Sequence, residues 1–414
     1  MKTILFLTPR FPWPLIGGDR IKSYNMIKHL AANHRVILVT FNHGSLPSPE
    51  QRRAIESLGV ELHVVALNPI VAGLASVRTL WTRLPLEIAF YTRTEFRRIV
   101  DTIFDTESVD IAVSFFMRTA EYVRERRDVM KILVAEDCRL EYQTRSLNAS
   151  KTLLQKLVRW WETQKLAVYE PNVALDFDTM TFVTKEDIEA MRSQQPRGMY
   201  ALLTNGVDLD RFSFDERCSH RRGIIFTGKL DVQANHLMAT GILNNILPLI
   251  RQQLPDVVLS FVGAKPRKAL LAAAKGRASV VADVPDIVPY LHNAAIFLHP
   301  HEGGSGIQNK VLEAMATGCP VVTTKSGLQG IEAIHGVHAM IGTSPAQIAE
   351  YAVILLKNPE LRMTLARNAR LLMETTHSWN HVHTQTEGVL GLRPPAVIHH
   401  LHVTPSNEPI SARI

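Results

Sequence analysis

Residues 298–324 read LHPHEGGSGIQNKVLEAMATGCPVVTT. An apolar run closes at Pro300, a loop with Gly303, Gly304 and Gly306 follows, and a helical pattern begins at Ile307. At 100° per residue, Ile307, Val311, Leu312 and Met315 fall in one sector of roughly 140°, wide enough to cover a sheet. Asn309, Lys310 and Glu313 fall together on another. A second short apolar run at 320–323 closes the unit. Strand, glycine loop, helix, strand is the βαβ pattern of a parallel sheet.

The same alternation extends outward through the chain. Strands are expected at 3–7, 36–40, 61–65, 111–115, 131–135, 180–183 and 199–203, then at 223–227, 257–261, 295–298 and 320–323. Helices are clearest at 19–32, 94–104 and 151–169 in the first half and at 235–250, 307–316 and 345–356 in the second. Between the halves, TNGVDLDRFSFDERCSHRRG (204–223) is polar and aperiodic. The expectation is an α/β chain of two tandem doubly wound domains, 1–205 and 223–376, joined by a linker at 206–222. A further short helix is expected at 377–392, and 393–414 reads as a tail. Its His399, His400 and His402 could hold a metal, but an accidental cluster is the simpler reading because nothing rigid fixes their geometry. Open α/β sheets bind ligands beyond the carboxyl ends of their strands, so two such domains imply a cleft between them.

Composition narrows the function classes. The chain has 414 residues, 46% of them apolar, enough for two domains with real cores. Its 46 Lys+Arg against 39 Asp+Glu give a net charge of +7, which suits an anionic ligand or an acidic membrane face. The excess is too small and scattered to argue for nucleic acid. Cys138, Cys218 and Cys319 lie far apart and odd in number, which favours a reducing, cytoplasmic setting over a disulfide framework. The apolar run at 4–7 is too short for a signal-peptide core, and the stretch 64–77 is interrupted by Asn68 and Pro69.

Three loops follow strands and carry the candidate chemistry. After the first strand comes PRFPWPLIGGDRIKSYNMIKHL, where Gly17 and Gly18 open a helix and Arg20 adds charge one turn in. Paired glycines admit close backbone approach and a helix start offers N–H groups to an anion; a tight turn with a surface arginine competes evenly. Ile21, Tyr24, Ile27, Lys28 (by its stem) and Leu30 are expected to face the sheet. After the first strand of the second half comes IIFTGKLDVQANHL, with Gly228 at the strand end, Lys229 beside it and Asn235 as a candidate helix cap. Lys229 is well placed for phosphate, with a solvated lysine as the competing reading. In the third loop, the helix start and Lys310 would meet diphosphate oxygens while Glu313 accepts two ribose hydroxyls. The competing reading is a solvated face with a Lys310–Glu313 pair worth a few tenths of a kcal/mol; the position at a strand's carboxyl end argues against it.

At these residues the chain resembles the donor half of the GT-B glycosyltransferases, in the large family-four group of retaining enzymes. The nearer likeness is to bacterial sugar transferases associated with exopolysaccharide gene systems. The resemblance rests on GIQNKVLEAMATGCPVV, the linker TNGVDLDRF, the GGDR segment and a Gly228–hydrophobic–Asn235 spacing, and it extends to about Leu392. It implies two Rossmann-like domains facing a cleft and retaining transfer of a sugar from a nucleoside-diphosphate sugar to an acceptor hydroxyl. The implied setting is bacterial surface polysaccharide or glycolipid synthesis, with the nucleotide sugar as co-substrate and no cofactor or metal. By the same resemblance Glu313 binds the ribose, and the donor-binding set comprises Gly228, Asn235, Gly304, Ser305, Gly306, Ile307, Gln308, Asn309 and Lys310. Lys229 lies near the diphosphate, Gly17, Gly18 and Arg20 face it from the other domain, and the 377–392 helix recrosses to the first domain. Two departures stand out: Ser305 occupies the position eight before Glu313 where the family usually has a second Glu, and only Lys229 represents the usual Arg/Lys pair.

Leaving-group charge can be stabilised by Arg20, Lys229 and Lys310. The carboxylate pairs of DFD (176–178) and DLD (208–210) read as caps or turns rather than metal ligands. Asp137, in the 136–139 segment after a first-half strand, is a candidate to orient or deprotonate the acceptor, with a helix cap as the competing reading. His301 is placed to touch the sugar and His299 to pack on the sheet. The 68–100 segment mixes apolar residues with Arg78, Arg83, Arg93, Arg97 and Arg98, and would suit peripheral contact with an anionic inner leaflet and a lipid-linked acceptor. Glycans and small molecules are the other acceptor classes. Two further functions are open: a nucleotide-sugar epimerase of the same fold, and a non-catalytic nucleotide-sugar-binding partner subunit.

Overall fold

The apolar runs that end in glycine or proline loops are the strands of two parallel sheets. The computed structural model describes residues 1–77, 82–148, 150, 152–216, 220–303 and 306–392. The expected tail at 393–414, with His399, His400 and His402, lies outside the described residues, as do Arg78, Cys218, Gly304 and Ser305. The chain divides into two compact units, Met1–Asn205 together with the segment from Val382, and Gly206–His381.

In the first unit, β1 (Thr3–Thr8), β2 (Arg35–His43), β3 (Glu61–Leu67), β4 (Ile111–Phe115), β5 (Met130–Glu136), β6 (Thr179–Phe182) and β7 (Tyr200–Leu202) form a sheet of order β3-β2-β1-β4-β5-β6-β7. All its pairings are parallel, with Leu5 beside both Ile37 and Ala112. In the second unit, β8 (Arg222–Thr227), β9 (Leu259–Gly263), β10 (Ser279–Ala282), β11 (Ala294–His299), β12 (Val321–Thr323) and β13 (Met340–Ile341) pair in parallel in the order β10-β9-β8-β11-β12-β13. The central strands are buried on both faces, which is why they read as continuous apolar runs. Strand order reverses between β1 and β4 and between β8 and β11, and ligands of doubly wound sheets bind at such switch points.

Two edge strands escaped the sequence pattern. β10 has four residues, two exposed and two half-buried, and β13 only two, too few for a periodic signal. The expected helix at 235–250 is three pieces: Gln233–Gly241, a wider π turn at Ile242–Ile246, and Leu247–Gln253. Pro248 has no amide to give the Asn244 carbonyl, so the regular ladder cannot pass through it. Asn235 is not a cap either. The cap position is Val232, without a side-chain bond, and Asn235 is buried in the first turn.

The first helix, Gly18–Ala31, is turned relative to expectation. Lys28 is exposed, and the inward face is Lys22, Ser23, Met26, Ile27 and Leu30. Lys22 is 1% exposed; its Nζ lies 2.6 Å from Glu136 Oε1 and donates to the Leu203 carbonyl at 2.6 Å. Burial lowers the pKa of Lys22 and raises that of Glu136, while the attraction between them opposes both shifts. Glu136 ends β5 with φ 75, a left-handed conformation that costs a non-glycine residue energy and persists only where its surroundings fix it.

The expected helix at 151–169 runs further, Leu153–Asp176, with Pro171 inside it. Its inward face carries two buried glutamates eight residues apart. Glu162 accepts the amides of Leu86 and Glu87 at 2.8 and 3.1 Å, at the start of the Leu86–Tyr91 helix. Glu170 accepts those of Arg139 and Leu140 at 2.9 and 2.8 Å, at the start of the Arg139–Asn148 helix. One helix thus supplies the end caps of two others, a charge-assisted arrangement that suits the positive N-terminal dipole. Burial still pushes the Glu170 carboxyl up to about 7, against those two amides.

Much of the 68–100 segment is core rather than surface: Ala72, Ile88, Tyr91, Phe96 and Val100 are buried. Arg93 is spent on the carbonyls of Ala72 and Phe90, and Arg97 on that of Glu121. Among the described residues, no helix is long and apolar enough to cross a membrane. Replacing Lys22 with Met leaves the Glu136 charge buried and unpaired, so unfolding in denaturant should show a loss of about 3–5 kcal/mol. Adding Glu136→Gln should recover much of that loss.

Candidate functional site

In the second unit, three segments meet where β8 and β11 lie side by side. β8 runs into Gly228 and Lys229, β11 into His299 and the loop before the Asn309–Ala316 helix, and the Gln233–Gly241 helix brings Asn235. Lys310 Nζ donates to Asn235 Oδ1 at 2.5 Å, and Asn235 Nδ2 donates to the Lys229 carbonyl at 2.9 Å. The ammonium also lies 5.4 Å from the centroid of the Phe226 ring in β8. A Cβ at Gly228 would sit 3.0 Å from Asn235 Nδ2 and 3.3 Å from Lys310 Nζ, at φ 147. Glycine is required there. Gly228 is itself seated by β9: its amide donates to the Val262 carbonyl at 3.2 Å, and any Cβ on Gly263 would overlap the Gly228 carbonyl.

Burial lowers the Lys310 ammonium to about 8, with Glu313 opposing the shift. Glu313, one turn on, is pushed up to about 7 by burial against the pull of Arg211 and Lys310. Val311, Leu312 and Met315 are fully buried and Ile307 nearly so, while Asn309, Lys310 and Glu313 are half-buried on the other face. The two-face reading of this helix therefore holds, though its first residue is Asn309 and Gln308 occupies the cap position. Gln308 has no side-chain cap; its carbonyl accepts the Val311 amide at 2.8 Å. Gly306 has φ 75.

His299 is fully buried, stacked between Phe297 and His301 at 5.9 and 5.4 Å, and its backbone carbonyl accepts from Thr323. It packs on the sheet as expected. Burial, then Lys310, lowers His301 to about 4, so its imidazole is neutral beside the lysine. The Lys229 side chain is exposed, and only its carbonyl joins the group. Arg211, in the linker, pairs with Asp286 at 3.2 Å. The DLD carboxylate Asp208 accepts the amides of Asp210 and Arg211, forming a turn. In DFD, Asp176 pairs with Arg124 and Asp178 accepts the Lys131 amide.

The first unit holds its own charged group at the carboxyl edge of its sheet. Gly17 has φ 103 at the cap position and Gly18 begins the helix. Asp19 pairs with Arg10 at 2.8 Å, and burial followed by Arg10 lowers the pKa of half-buried Arg20. Asp137 Oδ2 lies 3.6 Å from Arg139 Nη1. Arg139 and Arg118 share Glu87, at 2.6 and 2.5 Å. The Lys22–Glu136 pair and this arginine pairing through Glu87 were not found from sequence; no periodicity marks a buried ion pair.

Residues 221–358 match the family model described as Glycosyl transferases group 1. An uncharacterized 44.6 kDa protein in the cps region of Klebsiella pneumoniae is 21% identical over 248 residues, 58% of this chain and 63% of that protein. The match thus spans less than two thirds of that relative. Among solved structures, HepE of Anabaena in complex with UDP and glucose superposes with TM-score 0.66 at 14% identity, over 95% of this chain and 100% of that one. Sucrose-phosphate synthase of Thermosynechococcus elongatus gives 0.68 at 16% identity, over 95% and 99%. Both units carry the Rossmann-like parallel sheets of GT-B glycosyltransferases.

For a diphosphate diester probe that bears hydroxyls and does not titrate in this range, the two shifted groups predict a narrow pH optimum of binding. Glu313 accepts two hydroxyls through charge-assisted bonds only as a carboxylate, so affinity should climb as pH rises through about 7. Lys310 loses its charge above about 8, so affinity should fall there. Titration calorimetry should show Glu313→Gln removing the rising limb and Lys310→Arg the falling one.

Proposed function

We propose that the chain is a retaining glycosyltransferase that moves a sugar from a nucleoside-diphosphate sugar to an acceptor hydroxyl. The observation that carries this reading is the buried Lys310 ammonium, fixed by Asn235 beside the start of a helix that also presents Glu313. That is a phosphate-binding end and a ribose-binding acid on one short element. The glycosyl transferase group 1 match over 221–358 and the likeness to HepE, solved with UDP and glucose, support it. The relative in a cps region supports a role in bacterial surface polysaccharide or glycolipid synthesis, and in this reading the chain works in the cytoplasm beside its donor.

In this reading the bond between the anomeric carbon and the phosphate oxygen breaks, with its electron pair remaining on that oxygen. Lys310 and the amides at the helix start stabilise the charge that develops. Arg20, with Gly17 and Gly18 at the start of its helix, is the first unit's candidate for binding an anion, and Lys229 assists from solvent. The acceptor oxygen bonds to the same face of the carbon, and its proton passes to the departing phosphate. Asp137 orients the acceptor hydroxyl, held in place by Arg139. This reading assigns charge stabilisation to these groups; Asp176, Asp178 and Asp208 are engaged by Arg124, the Lys131 amide and the amides of Asp210 and Arg211.

Glu313→Ala should weaken donor binding roughly 10–150-fold, the loss of charge-assisted hydrogen bonds worth ~1.5–3 kcal/mol, with the thermal melt unchanged. Unchanged affinity in the folded variant would remove Glu313 from the site. Incubated with a panel of nucleotide sugars, the protein should release nucleoside diphosphate only when acceptor is present. Isomerised donor or free sugar without acceptor would point to epimerase chemistry, and binding without any turnover to a partner subunit.

A further inference from the structure

The long helix Leu153–Asp176 buries Leu166, Tyr169, Val173 and Ala174 in the core but leaves a second apolar face uncovered. Its inward face carries the buried carboxylates Glu162 and Glu170. At 100° per residue, Leu153, Leu154, Leu157, Trp160, Trp161 and Val168 fall within roughly 120° on the opposite side. Leu153 is 86% exposed, Leu157 62% and Trp160 50%, so this apolar stripe faces water. Isolated exposed apolar residues are ordinary, but a contiguous stripe marks a contact surface. A second apolar exposure lies on the Pro69–Val77 helix, at Ile70, Val71 and Leu74. That helix packs against the Leu86–Tyr91 helix whose start Glu162 caps.

Charge identifies the occupant. Between Leu153 and Tyr169 the cations are exposed Lys156 and half-buried Arg159 and Lys165, which also donate to the Ser146 and Leu84 carbonyls, and the one acid, Glu162, is buried. Lys165 Nζ lies 3.7 Å from the centroid of the Trp161 ring, so the cation is already seated on the aromatic edge of the stripe. The Pro69–Val77 helix has no charged residue, and Arg83 beyond it is exposed. A second copy of this surface would set lysines and arginines against one another. A bilayer with anionic headgroups accepts both components, the Leu and Trp side chains at the acyl boundary and the basic residues among the phosphates.

We propose that the exposed Leu/Trp face of the Leu153–Asp176 helix docks the first unit on an anionic lipid surface. This does not depend on the sugar-transfer reading. The site differs from the 68–100 segment singled out in the sequence, whose Arg93 and Arg97 are turned inward.

The test is flotation of the full chain with vesicles of phosphatidylcholine, with and without phosphatidylglycerol. The chain should float with the anionic vesicles and much less with the neutral ones. Added salt should weaken binding, and tryptophan emission should shift to the blue on binding. Leu157→Ser with Trp160→Ser should weaken binding at least about tenfold with circular dichroism unchanged. Lys156→Glu with Lys165→Glu should abolish the preference for anionic vesicles. Failure to float, or flotation unaltered by the Leu157/Trp160 variant, overturns the proposal. So does a dimer in size-exclusion chromatography that the same variant dissolves, which would make the stripe a self-association face.

Discussion

A lysine ammonium held largely away from water is the constraint around which the second unit's site is built. Lys310 cannot keep its charge there without help, and the help comes from a different element: the Asn235 amide oxygen. The same amide grips the Lys229 carbonyl with its nitrogen, so one side chain ties the β8 loop to the helix that follows β11. The Phe226 ring closes the remaining side. The depressed ammonium and the raised carboxyl of Glu313 are two results of one circumstance, removal from water, and an anionic ligand bearing hydroxyls would relieve both.

The first unit manages its burial of charge differently. The Lys22–Glu136 pair joins the first helix to the end of β5 and reaches β7 through the Leu203 carbonyl. It spans the edge where Gly17, Arg20 and Asp137 sit, so the placement of those residues is inherited from an ion pair that has almost no contact with solvent. Glu162 and Glu170 act similarly in the neighbouring helical layer, each holding the start of another helix. In both cases a buried charge is matched to a partner whose position it then fixes.

The strand order and the site differ in how far the sequence discloses them. The central strands were legible because parallel sheets bury both faces, leaving unbroken apolar runs such as ILFL and IAVSF. The helix after β11 was legible because its apolar and polar residues separate at 100° per residue. The edge strands β10 and β13 were not, being too short to show any period. Asn235 was recognised as belonging to the site but misassigned as a cap, since capping is a local rule and its real partner is 75 residues away. Lys22 was missed for the same reason, since its partners Glu136 and Leu203 lie more than a hundred residues away. Charged residues that face inward, and apolar residues that face outward on the Leu153–Asp176 helix, are settled by tertiary partners alone.

Gly263 has no ligand group and sits on a strand that no motif singles out, yet it touches the Gly228 carbonyl so closely that no side chain fits between them. Tolerance to mutation in this protein should therefore not fall off smoothly with distance from the chemistry. An alanine at 263 would act as a wedge, displacing the loop that carries Lys229 and loosening the grip on Asn235. Sequence libraries that spare only the obvious polar residues would lose function at this silent position, and a redesign of ligand preference would need to hold the two glycines as a pair.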